Sequence, residues 1–336
     1  MKKVILALAV FAATLCGCSK DIPTNDPHTG HVGEYPILFG YSDTRATADL
    51  STLQAEGFGV WAFINNATTE NYALMDNVKV THDGANWVYS PLRYWLKDTE
   101  FTFIGAYPYV EQDGYFSADQ QNNGVKLTVT ETPSQTDFLV ATNVTDTSVE
   151  GYNTTVNLPF QHVLTSVGLK IWRDEAKHTN DQMRITKVSL SNIRKSGVYS
   201  SATESWSYNT NKLSMEYVNN DLKDSDNIGA ATMQNGSLTT GGTPAEPFGQ
   251  MMLLPQTIDS SNIVALKIEY ELKRNNAADW ESAELETVLP TGAWNSGQRY
   301  TYNVVLSSVT DITVYYIQTK VDQWGTPQVG GTVIIK

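Results

Sequence analysis

The sequence predicts an all-β protein made of two β-sandwich domains. Three observations carry this. Short runs rich in aromatic and β-branched residues recur along the chain, as a pleated, packed surface favours. Turn signals such as Asp83-Gly84, Asp113-Gly114 and Asn123-Gly124 separate them. No stretch sustains the i, i+3, i+4, i+7 spacing of a long amphipathic helix. At 336 residues the chain has room for two domains. Spaced turns between short strands then point to sandwiches.

The first domain is expected over residues 35–165. It opens with Ile37-Leu38-Phe39, an apolar run that reads as a buried strand, and Phe58-Gly59-Val60-Trp61-Ala62-Phe63 reads as another. Between them lies a polar segment of small residues with one basic residue, Arg45, in Thr44-Arg45-Ala46. Val78–Val80 and Trp87–Tyr89 flank a turn, and Phe101–Tyr107 is a strand stopped by Pro108. Val125–Val129 alternates cleanly, followed by Phe138–Ala141 and Val156–Phe160. Short helical turns fit near Ala48–Leu53 and Gln161–Thr165.

The second domain is expected over 166–336. Val167–Trp172 and Ile185–Leu190 read as strands. The region 197–247 is rich in Ser, Asn, Thr and Gly, with two weak strands at most, and reads as a long decorated loop or loose hairpins. Core strands return at Met251–Leu254, Ile263–Leu272 and Arg299–Leu306. The tail holds Ile312–Ile317 and ends Val333-Ile334-Ile335-Lys336.

The start of the chain reads as a targeting segment. Lys2 and Lys3 form a basic region, and Val4–Leu15 is an apolar stretch of signal-peptide length. It is shorter than the roughly 20 apolar residues a membrane span needs. Leu15-Cys16-Gly17-Cys18 resembles a bacterial lipobox, which makes residues 1–17 the leader and Cys18 the lipidated residue. Residues 18–34, rich in Pro, Gly and Asp, read as a tether. After processing no pair of cysteines remains for a disulfide, so stability rests on large cores.

The formal net charge is −13 and becomes more negative once Lys2 and Lys3 leave with the leader. That excludes nucleic acid as a partner, because phosphate binding needs clustered Lys and Arg. It also disfavours lying on an anionic bilayer, so contact with the membrane is expected only through the lipid anchor. No catalytic constellation is evident. His82, His162 and His178 are scattered, and there is no Gly-x-Ser-x-Gly elbow or phosphate loop. His162, after an apolar strand, reads as a structural histidine. Asp174-Glu175 reads as a solvated turn. His28 and His31 lack further ligands, and Asp221–Asp226 lacks the Gly and Glu of a calcium loop, so no metal or other cofactor is expected. Eight Trp and seventeen Tyr raise a second reading, a monomeric lipoprotein that binds glycan or a host ligand through exposed aromatics. Trp206, Tyr208 and Trp280 are its candidates, while Trp61 and Trp95 belong to apolar strands.

Several of these segments, in this order, resemble the fimbrillins of the Bacteroidetes, including the Mfa-like branch. They are the lipobox, Ile37-Leu38-Phe39, Thr44-Arg45-Ala46, Gly57–Phe63, Tyr94-Trp95 before Phe101–Pro108, Asp137–Ala141, Leu158–Leu164, Trp294–Tyr302 and Trp324. The resemblance implies two sandwiches of transthyretin-like topology and a structural or adhesive fimbrial subunit rather than an enzyme. It implies export as an outer-membrane lipoprotein and cleavage between Arg45 and Ala46 by an Arg-specific protease. It further implies that the emptied groove accepts a strand from a neighbouring subunit. The donor would lie within Asp311–Lys336, with Val333, Ile334 and Ile335 as groove-fillers. The partners are then other fimbrial subunits and a host or bacterial surface ligand.

Overall fold

The computed structural model describes residues 35–41, 47–65, 72–112, 114–134, 136–150, 154–234, 237–308, 311–320 and 333–334. In chain order they first form β1 (Leu38–Tyr41), helix α1 (Thr47–Glu56), β2 (Phe58–Asn65), β3 (Tyr72–His82), β4 (Trp87–Val88) and β5 (Glu100–Tyr107). Then come β6 (Phe116–Asp119), β7 (Gly124–Val129), β8 (Leu139–Asp146), the short helix α2 (Thr147–Glu150), β9 (Thr155–Leu158) and β10 (Gln161–His162). The chain continues through β11 (Thr165–Asp174), β12 (Gln182–Arg194), β13 (Gly197–Ser200), β14 (Ser205–Tyr208), β15 (Lys212–Val218), β16 (Ala230–Gln234) and β17 (Ser237–Gly241). It closes with β18 (Gln250–Leu253), β19 (Gln256–Ile258), β20 (Ala265–Lys273), β21 (Glu281–Val288), β22 (Gly292–Trp294), β23 (Gln298–Ser308), β24 (Asp311–Lys320) and β25 (Val333–Ile334). The protein is all-β, as expected.

β2 and β5 are apolar at almost every position because both faces of their sheet are covered. They sit at the centre of a six-stranded sheet in the order β10-β8-β5-β2-β3-β4. Alternation along each strand sends successive side chains to opposite faces. Val60, Ala62, Ile64, Phe101 and Phe103 join one core with Ile37, Phe39, Leu53, Trp95, Val156 and Leu158. Trp61, Phe63, Ile104 and Ala106 face the other way and join Val125, Leu127, Phe138 and Tyr199. That second face is covered by a four-stranded sheet, β14-β13-β7-β6.

The third core lies between a seven-stranded sheet, in which β11 pairs with β16, β18 and β23, and a four-stranded sheet, β15-β12-β20-β21. β20 shows strict period-two burial, the mark of a strand with one face in the core and one in water. The residues of this core run from Val167 to Leu306.

Two sequence expectations are corrected and a third is extended. Residues 197–247 hold more than two weak strands: β13 to β17 form the hairpins β13–β14 and β16–β17, the hairpin reading, with β15 on β12. β13 pairs with β7, so a hairpin from beyond residue 166 completes the sheet of the first sandwich. Gln161–Thr165 forms strand β10 and the start of β11 instead of a helical turn. The turn near Ala48–Leu53 is a longer helix, α1.

Candidate functional site: the first strand and its slot

β1 is short, and with the residue before it places two buried side chains in the core. Ile37, just before it, is 0% exposed and Phe39 is 5% exposed, whereas Leu38 between them is 48% exposed. This is the two-residue alternation of a strand seated on an apolar face. The Phe39 ring stands edge-on to Tyr89 at 5.5 Å and to Phe103 at 6.1 Å between centroids.

The strand is held along both edges. On one side it runs parallel to β9, with Phe39 opposite Val156 and Tyr41 opposite Leu158. On the other, the Ile37 N–H donates to the Arg93 carbonyl at 2.9 Å and the Trp95 N–H donates to the Tyr35 carbonyl at 3.1 Å. Pro36 and Tyr94 form an antiparallel bridge between these bonds. The Tyr89 hydroxyl lies 2.9 Å from the Ile37 carbonyl and 3.2 Å from that of Arg93, and it accepts the Arg93 N–H. Burial pushes the Tyr89 phenol above its ordinary pKa, so it remains a donor here. Gly40 allows a close approach to β9: a Cβ there would stand 2.4 Å from Asn157 Oδ1.

After Tyr41 the chain passes through 42–46 and resumes at α1. Leu53 of α1 is 0% exposed and joins the same core as Ile37 and Phe39. Gly57, with φ +79, ends the helix; its N–H bonds to the Leu53 carbonyl at 2.8 Å. The segment between β1 and α1 is therefore bounded on each side by an element with its own purchase on the core. Arg45 and Ala46 lie outside the described residues, as does Cys18.

The tail segment Asp311–Lys336 contributes β24 and β25. β24 runs antiparallel to β23 in its own sheet, with Tyr302 opposite Tyr316. Val333 and Ile334 form β25 against β24, opposite Tyr316 and Tyr315. Ile335 lies outside the described residues.

The other residues singled out in the sequence have local structural partners. His162 Nδ1 is 2.7 Å from Asp137 Oδ2, both largely buried, which fits a structural histidine. His178 Nδ1 is 3.0 Å from Asp181. Asp174 accepts the Ala176 N–H as a turn residue does. Asp226 accepts the Lys223 N–H at 3.0 Å. Among the described residues no three His, Cys, Asp or Glu side chains gather into a metal site. No helix among them is long and apolar enough to cross a membrane.

The aromatic candidates are engaged. The Trp206 indole N–H donates to the Val163 carbonyl at 3.0 Å, and its ring lies parallel to Tyr208. Arg194 covers Tyr208 at 4.1 Å and Arg184 covers Trp280 at 4.1 Å. The sequence did not reveal that Leu158–Leu164 and Trp294–Tyr302 meet. The Ser296 hydroxyl donates to the Val163 carbonyl at 3.0 Å, and the Gly297 N–H donates to that of Leu164 at 2.8 Å.

This geometry defines a class: an all-β protein of packed sheets whose first strand seats on the apolar face of the first sandwich. A sequence profile of the Fimbrillin-like family matches residues 44–324. The chain belongs to that family, and it is a structural protein rather than an enzyme. It is similar in fold to a fimbrial protein from Bacteroides vulgatus, at 19% identity and a TM-score of 0.62, over 85% of this chain and 99% of that one. A fimbrial assembly protein from Parabacteroides distasonis aligns at 12% identity with a TM-score of 0.41, over 90% of this chain and 98% of that one. No curated protein matches the chain.

Proposed function

We propose that this protein is a fimbrial subunit of the cell surface, exported as a lipoprotein through Cys18 and assembled by exchange of its first strand. Cleavage between Arg45 and Ala46 leaves β1 attached to the rest by non-covalent contacts alone. The observation that carries this reading is the slot beneath β1. Ile37 and Phe39 fill it, and β9 and Arg93–Trp95 supply hydrogen-bonding edges on both sides.

An emptied slot would leave apolar core and unpaired backbone groups open to water, a state that an added strand relieves. Burying each large apolar side chain contributes roughly 1.5–3 kcal/mol, so two anchors plus the backbone ladder suffice for a long-lived junction. The incoming strand is the tail of a neighbouring subunit, from Asp311–Lys336, with Val333, Ile334 and Ile335 as the groove-filling residues. The partners are then other fimbrial subunits.

The glycan reading through Trp206, Tyr208 and Trp280 is the less favoured one, because Trp206 and Tyr208 pack against the core and a guanidinium lies over Tyr208 and over Trp280. The test is Arg45→Ala. The variant is expected to fold with an unchanged melting temperature and to form no fibres on the cell surface. Fibres at the wild-type level would refute processing at Arg45.

A further inference from the structure

The second sandwich carries a polar cleft that neither the family nor the first strand explains. Two adjoining hollows, about 480 and 660 Å³, share Ser225, Asn227, Ile228 and Thr243 in their walls. We propose that this cleft binds an uncharged oligosaccharide chain.

The cleft is built from fixed backbone. The Gly229 N–H donates to the Thr243 carbonyl and the Ile228 N–H to that of Met183. A Cβ at Gly229 would stand 2.5 Å from the Gly241 carbonyl and 2.8 Å from the Thr243 nitrogen, both backbone atoms, so only glycine fits where these segments cross. The Asn227 Oδ1 accepts the Met183 N–H at 2.8 Å, which leaves its amino group as a donor. The hollows are in the size range of ligand pockets, but their lining is polar, which suits a hydroxyl-rich ligand better than an apolar one.

The lining matches sugar chemistry. Tyr217, set edge-on to Phe248 at 6.5 Å, and Pro244 give an apolar wall for the C–H face of a ring. Asp226 and Glu246 accept hydroxyl hydrogens, and Asn227 donates. Hydrogen bonds from the Lys223 backbone and the Asn219 side chain hold Asp226 below the usual carboxylate range, so it stays an acceptor. The cations nearby are already paired: Arg173 with Glu175 at 3.0 Å and Lys170 with Glu246 at 3.2 Å. A carboxylate-bearing or sulfated sugar would therefore meet net negative charge.

Binding here is independent of exchange at β1. The test is calorimetric titration of the full mature chain with maltohexaose, cellohexaose and mannohexaose, with oligogalacturonate as the anionic probe. At least one neutral hexaose is expected to bind saturably while the anionic probe does not. Thr243→Trp, which fills the cleft from an exposed position, should weaken that binding at least tenfold at an unchanged melting temperature. Asp226→Asn, which keeps the shape, should weaken it less. No binding of any neutral hexaose would overturn the proposal. So would equal binding to the Thr243→Trp variant, or binding of the anionic probe as strong as the neutral one.

Discussion

Ile37, Leu38 and Phe39 sit side by side in the sequence yet differ completely in what they hold. Ile37 and Phe39 are buried, and Leu38 is half exposed. Truncating a buried side chain loses its transfer free energy and leaves a cavity, so Ile37→Ala should cost about 2–5 kcal/mol and Phe39→Ala about 3–5 kcal/mol. Leu38→Ala should stay within about 0.5 kcal/mol. Urea unfolding of the uncut precursor measures all three. Equal costs would mean that β1 does not seat in the core. Several tyrosines hold their protons more tightly in the fold, Tyr199 and Tyr107 the most. Burial, with the Glu204 charge adding to it, pushes Tyr199 from 10.0 to about 12. Burial and the hydrogen bond to Glu56 do the same for Tyr107. The folded state binds these protons more tightly, so their contribution is fully present below pH 10 and is lost as pH rises through about 12. Unfolding midpoints measured across that window should fall, and Tyr199→Phe should flatten the fall.

Among the elements, the hairpin β13–β14 shows what the sequence can and cannot declare. Its Ser205-Trp206-Ser207-Tyr208 run alternates, but the polar half is exposed and only the aromatic half packs. With a single partly buried face, it reads as loop until β7 is known to lie beside it. Trp206→Ala removes that packing and leaves the Val163 carbonyl without its indole donor. The expected cost is roughly 1–3 kcal/mol. Amide exchange should quicken in β13, β14 and β7 and stay unchanged in β20. Helix α1 escaped full notice for a related reason: its apolar residues are few, Leu53 is its buried anchor, and one contact makes no periodic pattern. β2, β5 and β20 were legible because their burial patterns follow directly from one-sided or two-sided coverage. The partners of the slot were not. β9 and Arg93–Trp95 lie far from β1 in sequence, and only the fold brings them to its two edges.

For the whole molecule, the proposed exchange of the first strand asks that the rest survive its loss, and the order of layers meets that demand. The six-stranded sheet keeps its second face covered by β6, β7, β13 and β14, and the third core is separate from both. β1 touches only the first of these cores. The second sandwich is tied to the first through Ser296 and Gly297 on the 163–164 carbonyls and through the crossing hairpin. None of these ties runs through β1. Loss of β1 thus opens one face of one sandwich. The measurement that tests the account most directly is the N-terminus of the protein in fibres sheared from the cell surface, read by mass spectrometry. The account predicts a chain that begins at Ala46. Fibres made of chains that still begin at lipidated Cys18 would contradict it.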